Sequence, residues 1–265
     1  MILRMLGPVD LRSPDGRVFR EVLGQSKRLA LLAYLAAARP IGFHSRDTLL
    51  TLLWPEFDQE HGRAALRQAV YVLRRALGPE VLIGCGDSVL GLDPSKLWCD
   101  VNAFEQAITA GEDAKALDLY EGELLDGFHV PDGLEFERWV DGVRTRLSVN
   151  AAAAAVRLAD IEEKRGDLTR ALLWTRRLLA IRPDDECALR RMVGLLHGMG
   201  DRAAAIRVYE DFIRRLKADY GLEPSGQSRA LIAKVRAELP LDENLWSPIL
   251  WASAPNDRRK NTRRA

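Results

Sequence analysis

Apolar positions recur at helical spacing through most of this chain, but the first hundred residues interrupt that rhythm with short extended pieces. Ile2–Leu6, Val9–Leu11 and Val18–Phe19 are brief apolar runs separated by Gly7-Pro8 and by Pro14-Asp15-Gly16, a turn signal, so residues 1–23 read as strands. Ser26 is placed to cap a helix running to about Ala38, with Leu29, Leu32, Ala33, Leu35 and Ala36 on its buried side. Arg39-Pro40 closes it, and an extended piece, Ile41–His44, leads to Ser45, a second cap. The next helix, Arg46–Leu53, stops at Trp54-Pro55. A short acidic loop, Glu56–Glu60, precedes a third helical stretch, His61–Leu77, which Gly78-Pro79 ends, the glycine read as a left-handed cap. Val81–Ile83 and Val89–Leu92 then flank Gly84–Ser88, a hairpin with a five-residue loop.

Strands, three helices and a terminal hairpin make a winged helix-turn-helix. Past Trp98 the pattern becomes helical throughout. Asp100 is read as the cap of a helix over Val101–Ala110. Gly111-Glu112-Asp113, Gly166-Asp167 and Gly200-Asp201 each lead a piece with Ala five residues on (Ala116, Ala171, Ala205) and an aromatic soon after (Tyr120, Trp174, Tyr209). The second and third copies are 34 residues apart, the tetratricopeptide period. Gly-Asp turns one helix into the next, the small Ala allows close approach, and the aromatic fills the wedge. Arg182-Pro183 is read as the start of the intervening helix. A longer helix, Glu135–Arg165, carries Trp139, Val143, Leu147, Ala151, Ala154, Leu158 and Ile161 on one stripe. The expected fold is mixed: an N-terminal α+β winged helix-turn-helix (1–98), then an all-α tetratricopeptide-like domain (99–240). A basic tail (241–265) follows.

On a helical wheel the stretch His61–Leu77 divides into two faces. Leu66, Ala69, Val70, Val72, Leu73, Ala76 and Leu77 form an apolar side. Arg63, Arg67, Gln68, Tyr71, Arg74 and Arg75 fall within an arc of about 140°. Ordinary solvated faces mix signs; four guanidiniums with no carboxylate suit phosphates and guanine edges, which Arg meets bidentately. The plain alternative is a surface helix rich in arginine through composition alone.

Bulk charge does not force a polyanion as partner, since the 265 residues carry 39 Lys and Arg against 38 Asp and Glu. By segment the balance is +2 over residues 1–100, −3 over 101–240 and +2 over 241–265. Affinity for nucleic acid would therefore come from local placement in the first domain and the tail. The tail sequence Asn256–Ala265 holds five basic residues and one acid, read either as a solvated end or as a supplementary phosphate contact. Cys85, Cys99 and Cys187 have no metal-ligand or disulfide spacing, which fits a reducing compartment. No apolar run is long enough to span a bilayer, and the start lacks a signal-peptide pattern, so a soluble cytoplasmic protein without membrane partners is expected.

Three segments carry a resemblance to a known family. They are Leu31–Ala36 (LLAYLA) in the first helix, the serine-led second helix Ser45–Pro55 ending Leu-Trp-Pro, and Ala65–Gly78 (ALRQAVYVLRRALG) in the third. Together they make residues 1–98 similar to the OmpR-type winged helix, in the version found in the antibiotic-regulatory (SARP) transcriptional activators. Tyr220–Ser225 (YGLEPS), within Gly221–Leu231 (GLEPSGQSRAL), resembles the bacterial transcriptional activator domain that follows in that family. The hairpin departs from the family in carrying Asp87 at its tip, which leaves it out of the binding set. The resemblance implies a sequence-specific activator of double-stranded DNA, with the third helix in the major groove. Residues near that helix's start would read bases and later ones hold phosphates. Lys27, Arg28 and Arg46, at the starts of the first two helices, are candidate backbone contacts. It also implies that Glu56, Asp58 and Glu60 touch RNA polymerase, and that two protomers associate side by side on direct repeats. Larger family members add an ATPase or phosphopeptide-binding module; this chain is read as too short for either, and as having no receiver domain ahead of the winged helix.

Catalytic patterns are missing: no phosphate loop, no G-x-S-x-G elbow, no H-E-x-x-H. The four histidines are scattered, and Glu135/Glu137 and Glu162/Glu163 are read as solvated helix faces. No enzyme activity, metal or cofactor is expected. The competing function is a helical-repeat adaptor whose winged helix binds protein.

Overall fold

The structure is a computed structural model and describes residues 1–86 and 88–237; the expected tail, 241–265, lies outside the described residues, as does Asp87. The chain divides into two compact units, Met1–Ala155 and Val156 onward.

The first unit opens with β1 (Ile2–Arg4), paired antiparallel with β2 (Asp10–Arg12), Leu3 opposite Leu11. The expected third strand is not formed. Val18 makes only an isolated bridge to Arg12, and the chain turns into a short helix, α1 (Arg20–Leu23). Phe19 and Val22 are both buried, and three-residue spacing brings two side chains to one side only in a helix. Helix α2 (Ser26–Ala37) starts one residue past its cap: Gln25 holds that position, and Ser26 is the first helical residue. Strand β3 (His44–Ser45) leads to α3 (Arg46–Leu53), whose bounds are those expected. Ser45 sits at the cap without a side-chain bond; the Arg46 amide instead donates to the Ser88 carbonyl of the hairpin at 2.9 Å. Then come α4 (Gln59–Leu77), β4 (Leu82–Cys85) and β5 (Val89–Leu92), a hairpin with a three-residue connection instead of five. β3 pairs with β5, giving a sheet of order β3-β5-β4. Gly78 holds the C-cap position with φ 105° and ψ 146°, a positive φ that favours glycine but with a ψ far from that of a left-handed helical cap.

β6 (Trp98–Cys99) returns to pair in parallel with β1, completing the order β2-β1-β6. Asp100 is the first residue of α5 (Asp100–Ala110), with Cys99 at the cap. Its carboxylate is buried and accepts the amides of Met5 (2.7 Å), Leu6 (2.9 Å) and Val101 (2.8 Å). Burial raises the Asp100 pKa, and these donors oppose the rise. Helix α6 (Asp113–Leu119) and α7 (Leu134–Lys164) follow. The Leu125 amide donates to Met5, the Gly7 amide to Glu123, and Arg144 of α7 to the carbonyls of Leu124 and Leu125. The Tyr34 ring of α2 packs at 4.9 Å from Trp139 of α7, and Arg39 pairs with Glu105, which Arg146 also reaches. Residues 99–155 are thus bonded into one body with the winged helix.

The second unit holds α7 from Val156, α8 (Leu168–Ile181), α9 (Glu186–Gly198), α10 (Arg202–Tyr220) and α11 (Gly226–Arg236). Leu172, Leu189, Val193, Leu196, Phe212, Leu231 and Val235 share one core. The Gly-Asp turns work as their spacing predicts. Gly166 and Gly200 adopt positive φ, Asp167 and Asp201 cap the next helices, and Ala171 and Ala205 are fully buried. The helix after Pro183 starts later than expected, because Asp185 caps it by accepting the Cys187 and Ala188 amides. In this unit the inward positions of α7 are Ala159 and Glu162, so Ile161 turns outward. Glu162 and Glu163 are not a solvated face. Glu162 is buried, and Glu163 with Asp160 pairs with the buried Arg191. Glu137, likewise, is half-buried and accepts the Val130 amide.

Candidate nucleic-acid interface

α4 is fixed in rotation by its apolar side. Leu66, Ala69, Val70, Leu73 and Leu77 are buried, and each full-sized aliphatic is worth about 1.5–3 kcal/mol on burial. Gly62 is buried too, against Leu50 of α3; a Cβ there would lie 3.5 Å from the Leu50 side chain, an ordinary packing distance. Val72 and Ala76, expected inside, are half-buried. Asp58 caps the helix, accepting the His61 amide at 2.9 Å while its other oxygen meets the His61 ring at 2.8 Å. That amide bond, then the ring contact, hold the Asp58 pKa below the usual carboxylate range.

The opposite side divides in a way the helical wheel does not reveal. Arg67, Gln68, Tyr71 and Arg75 are exposed and bond to no other described residue, with Tyr71 at 59% exposure. Arg63 is exposed and 3.9 Å from Asp47 on α3, a weak pair at that distance and exposure. Arg74 is half-buried, with Nε and Nη2 at 3.2 and 3.0 Å from the Leu82 carbonyl, so it clamps the helix to β4. Between α4, the start of α3 and the hairpin runs a groove of about 720 Å³ lined by Arg46, Arg63, Arg67, Tyr71, Arg74 and Ser88, among others. Arg46 enters it with a buried Nε that has no hydrogen-bond partner among the described residues.

The remaining expected contacts lie elsewhere. Lys27 is bound to Glu56 and sits 5.9 and 5.5 Å from the Trp54 and Phe57 ring centroids. Arg28 donates to the Glu21 carbonyl at 3.3 Å. In the acidic loop burial is the largest influence on Glu56 and works to raise its pKa, but the hydrogen bond and charge of Lys27 together with a backbone hydrogen bond outweigh it and the pKa falls. Glu56 is thereby tied to α2 and Asp58 to α4, while Glu60 is exposed and pairs with no described residue. Phe57, at 47% exposure, is the apolar feature of this loop, and its lone aromatic ring among carboxylates was the available sequence signal. Asp47 also escaped the sequence reading, because a carboxylate on a neighbouring helix is invisible to a single-helix wheel. Among the described residues no group of three or more His, Cys, Asp or Glu is placed to hold a metal, and no helix is long and apolar enough to cross a membrane.

Residues 100–236, just over half of the chain, match the bacterial transcriptional activator domain family. This chain belongs to the SARP-type transcriptional regulators. Among SARP relatives, the transcriptional regulatory protein EmbR of Mycobacterium tuberculosis and of Mycobacterium bovis is 26% identical over 253 residues. That alignment covers 90% of this chain and 64% of the relative, so the chain spans under two thirds of EmbR. The regulatory protein AfsR of Streptomyces coelicolor is 28% identical over 234 residues, covering 83% of this chain and 22% of AfsR. A solved structure of Mycobacterium tuberculosis EmbR in complex with a low-affinity phosphopeptide superposes with a TM-score of 0.56 at 22% identity, over 91% of this chain and 66% of that one. The likeness establishes the SARP architecture, small N-terminal sheets followed by a helical domain. SARP regulators are a family of transcriptional regulators, not of enzymes.

Proposed function

We propose that this chain is a sequence-specific, DNA-binding transcriptional activator of the cytoplasm. In this reading residues 1–98 bind double-stranded DNA, 99–240 form the activator module and 241–265 are a basic tail. The observation that carries the reading is the set Arg67, Gln68, Tyr71 and Arg75, without partners among the described residues on a helix whose other side is buried. Arg63, Arg67 and Gln68, nearer the helix start, read base edges; Tyr71 and Arg75 hold phosphates. Arg74 contributes through the helix–hairpin clamp. Of the backbone candidates, Arg46 is best supported by its place in the groove, whereas Lys27 and Arg28 act by shaping the start of α2.

Binding is to direct repeats, by two protomers side by side, and the loop Glu56–Glu60 faces RNA polymerase. Glu60 is its free carboxylate, and Glu56 and Asp58 set its shape. Gel-shift titration of duplexes selected from a random pool, at two salt concentrations, tests the DNA reading. Retention with a steep negative salt slope is expected. A protein that ignores every duplex at low salt is an adaptor instead. Transcription in vitro tests the loop separately: Glu60→Lys keeps DNA affinity and loses activation, and unimpaired transcription rejects the polymerase contact.

A further inference from the structure

The groove between α3, α4 and the hairpin is lined by arginines, yet one carboxylate stands among them. Of the described residues that line it, Asp47 is the sole acid, beside Arg46, Arg63, Arg67 and Arg74. Its place follows from the packing of the two helices. Leu50 of α3 lies against Gly62 of α4, and Asp47, three residues earlier, shares that face of α3. Arg63 comes directly after Gly62, and its Nη2 reaches 3.9 Å from the Asp47 carboxylate. The Asp47 side chain is 80% exposed, and Arg63 is its one ionic neighbour among the described residues. What ties residue 47 into α3 is its main chain, whose carbonyl accepts from the Thr51 hydroxyl at 3.1 Å. The plain reading of the carboxylate is an acid in the first turn of α3, where it suits the positive end of that helix.

In a groove that receives a polyanion, a negative charge at that point does more. It repels any phosphate that approaches Arg63 and does not repel a base edge, which carries no net charge. A guanidinium has two edges of N–H donors; with one turned to Asp47, the other meets the O6 and N7 of a guanine. Water screens the pair in the free protein, so it holds Arg63 only weakly there. A duplex filling the groove excludes that water, and the same separation then counts for several times more. Arg63 also lies near the start of α4, the part of a recognition helix that meets base edges. Arg67 and Arg75, exposed and with no carboxylate partner among the described residues, are under no such constraint.

We propose that Asp47 is a positioning residue for base readout: it holds the Arg63 guanidinium toward a guanine edge and bars it from the phosphate backbone. The inference rests on the DNA-binding reading above and names a determinant of its specificity. It is tested by the affinity of the full chain for three kinds of duplex. These are one selected from a random pool, the same duplex with each base pair changed in turn, and one of random sequence. In Asp47→Asn the ratio of selected to random affinity is expected to fall about tenfold, with the loss confined to one G·C position. Affinity for the random duplex rises about threefold and its slope of log affinity against log salt steepens by about one unit, because Arg63 is released onto a phosphate. In an Arg63→Ala background, Asp47→Asn leaves base preference unchanged. If Asp47 only supports the first turn of α3, both affinities fall by one factor together with the melting temperature, and that result overturns the proposal. Unaltered selectivity in Asp47→Asn overturns it as well. So does a loss of selectivity that persists without Arg63, which makes Asp47 itself the base contact. An unmodified chain that binds no duplex fails the DNA reading and the proposal with it, whereas the other adverse results reject the proposal and leave that reading in place.

Discussion

Two helices carry the same Leu-Arg-Arg sequence and treat its second arginine in opposite ways. In α4, Arg75 is exposed and has no described partner; in α9, Arg191 is 3% exposed, with Nη2 2.7 Å from Asp160 and Nε 2.5 Å from Glu163. Local sequence does not decide this. α7 brings two carboxylates to bear on Arg191, whereas among the described residues no carboxylate pairs with Arg75. A buried guanidinium needs counter-charges supplied by the fold, and an open one is available to a ligand. The contrast separates arginines held by the fold from arginines the fold leaves open, without reference to any relative.

The largest effect follows from removing the buried partner. Arg191→Ala leaves Asp160 and Glu163 facing an uncharged cavity, and should cost about 3–5 kcal/mol of stability. Burial, its main cause, already holds the Glu163 pKa above the usual carboxylate range, and Arg191 pulls the other way. Chemical unfolding of the variant measures the loss; a midpoint within error of the unmodified chain would show that the pair is not needed.

On the open side, Arg67→Ala should weaken specific DNA binding by about 1–3 kcal/mol and relax preference at one base, with the melting transition unchanged. Affinity and stability thus move in opposite variants. If Arg67→Ala destabilises the fold as Arg191→Ala does, the division between the two arginine classes is lost.

Next come the neighbours Arg74 and Arg75. Arg74→Ala removes the clamp on the Leu82 carbonyl and should lower stability by about 1 kcal/mol, since its bonds are charge-assisted but half in solvent. Arg75→Ala should leave stability alone and flatten the slope of log affinity against log salt by about one unit. Equal salt slopes for both variants and the unmodified chain would remove Arg75 from the phosphate set.

How far this was readable from the sequence depends on the distance over which each cause acts. The bounds of α3, the amphipathic division of α4 and the Gly-Asp turns at 166 and 200 have causes within one or two helical turns, and the sequence carries them. α1 was hidden because Phe19 and Val22 announce a helix only once both are known to be buried. Arg74 was assigned to the open arc because its acceptor, on β4, is a backbone carbonyl with no residue signature. The pairing of Glu163 is hidden because its partner Arg191 lies 28 residues away. The joining of residues 99–155 to the first unit depends on backbone bonds of Met5, Leu6 and Gly7, which no periodicity encodes.

The smallest expected effect is a pH dependence seated behind the open arc. His44 precedes the Ser45 cap of α3 and pairs with Leu90 of the hairpin, and its ring packs 5.1 Å from Tyr34, which in turn touches Trp139. Its Nε2 is buried without a hydrogen-bond partner among the described residues, and burial lowers its pKa from the ordinary imidazole value. The folded protein therefore holds His44 neutral. Above the unfolded pKa both states are neutral and the site contributes nothing that depends on pH. As pH falls through about 6.5 the unfolded chain takes up the proton first, and stability declines until the folded ring protonates as well. Unfolding free energies measured from pH 7.5 to 5 should show that decline, and His44→Phe should flatten it, since a phenyl ring keeps the Tyr34 contact and cannot titrate. An identical pH profile in the two proteins would place the titrating group elsewhere and leave His44 as packing alone.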